Sequence, residues 1–214
     1  MEEVFNKIRK PDKNIKTKNK ILNTFFIFLS GVILGIFSKW LDNLSIYDEV
    51  WWQHILGILD LRNVFSMFGI WIFIAITISV FSKTPLRASI NVLLFFIGMT
   101  ISYHLYTIFF CGFNPMKYMI IWYGITLISP LLAYVCWYSK GSNKISILIS
   151  SLILCVMFIS SFSIGIWFFY IKSVIYLLLF IGTVLVLYVN PKNTIYSLVI
   201  AIILAFLVCG IVVL

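Results

Sequence analysis

The stretch ASINVLLFFIGMTISYHLYTIFF, residues 88–110, carries no Asp, Glu, Lys or Arg over 23 positions. A helix rising about 1.5 Å per residue needs about 20 apolar residues to cross a hydrocarbon core of about 30 Å. The stretch therefore reads as a membrane span, and its polar residues are ordered. At about 100° per residue, Asn91, Gly98, Ser102 and Tyr106 share one stripe while Thr100, His104 and Thr107 share the opposite one. A helix decorated on both sides can turn neither to lipid, so this span belongs at the centre of a bundle.

Six more apolar runs of similar kind flank it, at residues 21–38, 64–82, 118–138, 145–163, 173–189 and 194–214. In lipid a backbone must satisfy its own hydrogen bonds, which long helices do. The short alternating strands of a membrane β-barrel are missing from the pattern. The expected fold class is all-α, a polytopic transmembrane helical bundle with seven predicted spans. Residues 164–172 (IGIWFFYIK) are too apolar for an ordinary loop. They extend the fifth span or lie in the interface, and an unusual role there would reduce the count to six.

Composition agrees. The chain of 214 residues is 62% hydrophobic, 18% aromatic and 11% charged, against roughly 45–50% apolar and about 25% charged for soluble domains. A water-soluble globule is excluded.

Basic residues near span ends stay on the cytoplasmic side. With the N-terminus inside, twelve of the sixteen lie on inner segments: Lys7, Arg9, Lys10, Lys13, Lys16, Lys18, Lys20, Lys83, Arg87, Lys140, Lys144 and Lys192. Only Lys39, Arg62, Lys117 and Lys172 fall outside. Seven spans then put the C-terminus outside. The chain divides into a basic cytoplasmic arm, residues 1–20, and one transmembrane domain, residues 21–214, with an outer loop at 39–63. The arm fits an anchor that also touches anionic lipid headgroups, each Lys or Arg near the surface contributing about 1 kcal/mol. It lacks the interleaved aromatics that base stacking needs, so no nucleic-acid partner is expected. Nor does it read as a cleavable signal peptide, since the first apolar run begins at Ile21 and spans.

All seven acids lie at or before Asp60, so the 154 residues that follow hold no carboxylate. Proton relays and cation-coupled carriers usually place carboxylates inside the bundle. There is also no HExxH and no P-loop. These absences argue against self-powered transport, nucleotide hydrolysis and acid-dependent membrane proteolysis. The expectation is no enzyme, no catalytic residue, no metal and no cofactor.

What polar and aromatic chemistry remains supplies the candidate ligand-binding residues. In the third and fourth spans these are Asn91, Tyr103, His104, Tyr106, Tyr123 and Tyr134, with Pro130 expected to kink the fourth and free a carbonyl. In the outer loop they are Trp51, Trp52 and His54. The segment WWQHILGILDL there suits a short interfacial helix, or a lid over an outward pocket near His104. Aromatic walls with a few convergent polar groups are the usual make-up of a small-molecule site. Neutral His104 is expected to hydrogen-bond a hydroxyl such as Tyr123 or Thr126. Lys39 and Asp42, three apart, are placed to pair. Of the cysteines, Cys111 and Cys209 both fall on the outer side, where a disulfide is conceivable. Gly31 and Gly35 form a small-xxx-small pattern, a face for docking a partner or the rest of the bundle.

The stretch from SKTPLRASINVLLFFIGM through SYHLYTIFFCGFNPMKYMIIWYGITLISPLLAYVCWYSKG, with GVILGIFSKWLD, resembles a family of small uncharacterised bacterial integral membrane proteins. That resemblance implies a class and no mechanism. A looser likeness is to the substrate-binding membrane subunits of energy-coupling-factor transporters. It implies that Gly31 and Gly35 dock a partner and that the Trp51 to Asp60 loop acts as a lid. The expected function is a non-catalytic small-molecule binding or transport subunit that draws its energy from another membrane protein. The alternative is a structural or regulatory membrane protein, such as an immunity or assembly factor, acting through helix contacts. Thirteen lysines against three arginines, with abundant Ile and Asn, suggest an AT-rich bacterial genome and a location in the bacterial cytoplasmic membrane.

Overall fold

The structure, a computed structural model, describes residues 8–12, 16–44, 51–165 and 167–212, without the side chains of residues 52 and 210–212. The described residues form nine α-helices. They are α1 (Thr17–Asn43), α2 (Trp51–Ile58), α3 (Leu61–Ser66), α4 (Phe68–Phe81), α5 (Pro85–Cys111), α6 (Met116–Trp137), α7 (Lys144–Ser161), α8 (Val174–Leu187) and α9 (Pro191–Val212). Five of them, α1, α5, α6, α7 and α9, are long and apolar enough to cross a membrane. Helices α4 and α8 are apolar but only 14 residues long, about 21 Å of rise. Each of the seven apolar runs thus corresponds to one of these seven helices, two of them short.

Caps readable in the sequence mark several ends. Thr84 accepts from the Arg87 amide ahead of Pro85 at the start of α5. Asn143 accepts from Ser146 at the start of α7, and Asn190 from Asn193 beside Pro191. These supply acceptors for amides that have no intrahelical partner. Helix α5 ends on Gly112 at φ 73°, the left-handed conformation that glycine adopts without penalty.

Two stretches depart from expectation. The run 64–82 is not one helix: it begins in α3, turns through extended Met67 (φ −96°, ψ 157°) and resumes as α4. The Trp71 indole N–H donates to the Phe65 carbonyl at 2.9 Å, satisfying an acceptor beside the break. Strands β1 (Phe162–Ile164) and β2 (Phe169–Ile171) pair antiparallel, Phe162 with Ile171 and Ile164 with Phe169. Helix α7, the fifth expected span, therefore stops at Ser161. Trp167, just before β2, is 94% exposed, and α8 still follows.

Ion pairs and hydrogen bonds put Asp12, Val80, Lys83, Trp137, Lys140 and Tyr188 at one end of the bundle. Asn43, Arg62, Ser66, Cys111 and Asn114 gather at the other. We call these the basic end and the loop end.

Besides a smaller cluster at the basic end around Ile8, Ala88, Trp137 and Tyr138, the core has two large parts that meet at α4. One joins α1, α3, α4, α5 and α6 around Phe95, Met99, Trp71 and Trp122. The other joins α4, α7, α8 and α9 around Ile76, Leu154, Met157 and Ala205. Helix α5 is central, as its two stripes require. Gly98 and Ser102 face α1, where Ser102 donates to the Val32 carbonyl at 3.1 Å. His104, on the other stripe, faces α6. Helices α1 and α5 run parallel, and a Cβ on Gly31 would sit 2.2 Å from the Phe95 carbonyl oxygen. The Gly31–Gly35 face is buried against α5, so it docks the bundle and is closed to a partner. Pro130 lies inside α6, and the Thr126 carbonyl it deprives of an amide accepts from Ser129 Oγ at 2.8 Å.

Candidate functional site: an aromatic cleft at the loop end

The cleft arises where five helices bring small, aromatic and sulfur side chains together. Its walls are Ser38 from α1, Phe65 from α3, Trp71 from α4, Met99 and Tyr103 from α5, and Tyr118, Met119 and Trp122 from α6. The rings interlock edge to face: Phe65 on Trp71 at 5.8 Å, Trp71 on Trp122 at 6.2 Å and Tyr118 on Trp122 at 6.4 Å between centroids. Such pairs favour this geometry because a ring's edge is positive and its face negative. About 10 Å³ is open to the centre of a water molecule, room for one water.

Tyr103 links the cleft to charge. Its hydroxyl donates to Asp42 Oδ2 at 2.7 Å, and Ser66 Oγ donates to Oδ1 at 3.2 Å. Lys39 Nζ lies 3.9 Å from the same carboxylate, 5.4 Å from the Tyr103 ring and 5.7 Å from that of Phe113. The two charged side chains are 10% and 18% exposed. Buried this far, an ammonium and a carboxylate persist because they pair and are hydrogen-bonded. The Arg62 guanidinium donates to the Leu44 carbonyl, while its buried Nε has no hydrogen-bond partner among the described residues. The rim thus offers the Lys39–Asp42 pair, held through Tyr103, beside an apolar floor. This arrangement can orient a molecule with an apolar ring body and a polar group.

The sequence candidates scatter. Only Tyr103 lines the cleft. His104 sits nearby but turns to α6: Nε2 donates to Asn114 Oδ1 at 2.9 Å, leaving Nδ1 to accept from Tyr123. The hydrogen bond to the Tyr123 hydroxyl is the expected one. Tyr106 stacks on Phe110 at 4.6 Å, away from the cleft. Asn91, 1% exposed, lies at the basic end, accepting from Thr24 at 2.8 Å and donating to Ser82 at 3.1 Å. Tyr134 is also there, beside Tyr138. On α2, Trp51 is 75% exposed and His54 is exposed, whereas Gln53 is buried. The apolar stripe of Trp51, Ile55 and Ile58 thus faces away from the cleft, as an interfacial helix would present it. The side chain of Trp52 lies outside the described residues. The element over the cleft is α3, through Phe65.

Sequence reasoning passed over Phe65, Trp71, Met99, Tyr118, Met119 and Trp122 because each read as ordinary span material. The available signal was Asp42, an acid at the end of an otherwise apolar helix. Among the described residues no cluster of three His, Cys, Asp or Glu is placed to hold a metal. Cys111 and Cys209 are free thiols, as are Cys136 and Cys155.

Fold and cleft define a class, a helical bundle with the spans of a membrane protein and an aromatic site at one end. No protein-family model matches the chain, and neither a curated protein nor a solved structure does.

Proposed function

We propose that the protein is a non-catalytic membrane subunit that binds a small molecule at the loop end and relies on a partner membrane protein for energy. One observation carries this reading: five helices converge on an aromatic cleft whose rim holds the buried Lys39–Asp42 pair through Tyr103. The lack of any carboxylate after Asp60 supports dependence on a partner. The positive-inside distribution supports seven spans with the basic end in the cytoplasm and the cleft open to the outside of a bacterial cytoplasmic membrane. Anionic headgroups would then meet the basic end. Because the cleft has room for only about one water, a ligand enters by displacing α3 and Phe65.

The closure of the cleft also favours a second reading, a structural or regulatory factor acting through helix contacts. Native mass spectrometry of gently extracted protein separates the two. We expect the 24.8 kDa chain to carry one stoichiometric small ligand, lost on Trp122→Ala and kept on Tyr134→Phe at the opposite end. A ligand-free chain that always accompanies another membrane protein would instead establish the structural role.

A further inference from the structure

At the basic end, residues 8–12 cross the bundle. Ile8 is buried with Ala88, Trp137 and Tyr138. The Arg9 guanidinium donates to the Trp137 carbonyl at 2.7 Å and to the Val80 carbonyl at 2.9 Å, and lies 4.2 Å from the centre of the Trp137 ring. Asp12 closes the segment, its amide donating to the Lys83 carbonyl at 3.0 Å and its carboxylate accepting from Lys83 Nζ at 3.1 Å.

Val80 and Trp137 occupy the last turns of α4 and α6. The Val80 carbonyl lies past the last α-helical donor of α4, the Trp137 carbonyl opens the short 3-10 turn Tyr138–Lys140, and the helix dipoles add partial negative charge at both. One planar guanidinium meets both helix ends and stacks on a ring, which an ammonium point charge does not reproduce. The arm has seven basic residues and a single arginine. Counting charge for membrane orientation does not explain why that arginine stands at position 9; the geometry does. Room is made for it from the other side as well. A Cβ on Gly141 would lie 2.4 Å from the Ile8 carbonyl oxygen and 2.2 Å from Ser146 Oγ.

We propose that the ends of α4 and α6 form a guanidinium-binding slot, filled by the chain's own Arg9, and that residues 8–12 act as a latch holding the two helices together. The same helices wall the loop-end cleft through Trp71 and Trp122, so the latch sets their separation at the end opposite the cleft. The inference goes beyond ligand binding and stands on the basic-end contacts alone.

A native thiol reports on it. Cys136, on α6, is buried and directly precedes Trp137, which Arg9 contacts. Cys155, buried on α7, monitors the rest of the bundle. The test is site-resolved alkylation by N-ethylmaleimide of full-length protein in lipid vesicles. Arg9→Ala should speed reaction at Cys136 by about tenfold, the ratio that loss of a charge-assisted hydrogen bond produces, with Cys155 unchanged. Arg9→Lys should fall between, and Gly141→Ala should loosen Cys136 by pushing on Ile8. Adding ethylguanidinium to Arg9→Ala should restore protection, whereas ethylammonium should not. The proposal is overturned if Cys136 stays protected in both alanine variants, if Cys155 accelerates equally, or if ethylammonium rescues as well as ethylguanidinium.

Discussion

Truncating Trp71 to alanine is expected to destabilise the protein by about 3–5 kcal/mol, the range for removing a buried Trp or Phe. Trp71 is 2% exposed and touches the rings of Phe65, Phe95 and Trp122. Its indole N–H also satisfies the Phe65 carbonyl beside the break between α3 and α4. Two losses therefore combine, a cavity in the α4–α5–α6 core and an orphaned acceptor. Trp71→Phe separates them: it keeps most of the volume, loses the hydrogen bond, and should cost about 1 kcal/mol. Reversible unfolding in mixed detergent micelles measures both. If the two variants are equally stable, the packing role assigned to Trp71 fails.

The α1–α5 seam should be almost as sensitive. Gly31→Ala puts a methyl 2.2 Å from the Phe95 carbonyl oxygen and 3.0 Å from its carbon. Because the obstruction is backbone, no rotamer change relieves it and the helices must move apart. Overpacking of this kind costs about 3 kcal/mol at the upper end, offset by about 1 kcal/mol because alanine suits a helix better than glycine. A net loss of about 2 kcal/mol is expected. Gly124→Ala on α6 is the control, since its Cβ would meet nothing within 4 Å. It should be neutral or stabilising by up to about 1 kcal/mol. Equal effects at the two sites would mean that the seam is not close-packed.

The central place of α5 was legible because polar residues on two opposite stripes leave no face for lipid. For His104 the sequence offered a hydroxyl such as Tyr123 or Thr126, and the structure supplies Tyr123. Hydropathy cannot encode the dihedrals at Met67, so the apolar run 64–82 gave no sign of its break. The strand pair was hidden likewise, because Phe, Trp, Tyr and Ile in residues 162–171 suit a strand as well as a span. The candidate site was blurred for a different reason. Angular periodicity says which face a residue is on but not its depth, yet depth is also computable. Asn91 and Tyr103 are twelve positions apart on α5, about 18 Å of rise, so they belong to opposite ends and to different networks. Gly31 and Gly35 show the limit of a motif: small-xxx-small predicted close contact correctly and left the partner open, which the structure assigns to α5.

The account turns on the loop end, with its aromatic cleft and the Lys39–Asp42 pair, facing outward. Cys111 tests this directly, because it lies at that end, partly exposed and hydrogen-bonded by Asn43 at 2.8 Å. In intact cells expressing the protein, a membrane-impermeant maleimide should label Cys111 and leave buried Cys136 and Cys155 unmodified. Labelling of Cys111 only after the membrane is opened would reverse the bundle, turn the basic end outward and contradict an outward-opening site.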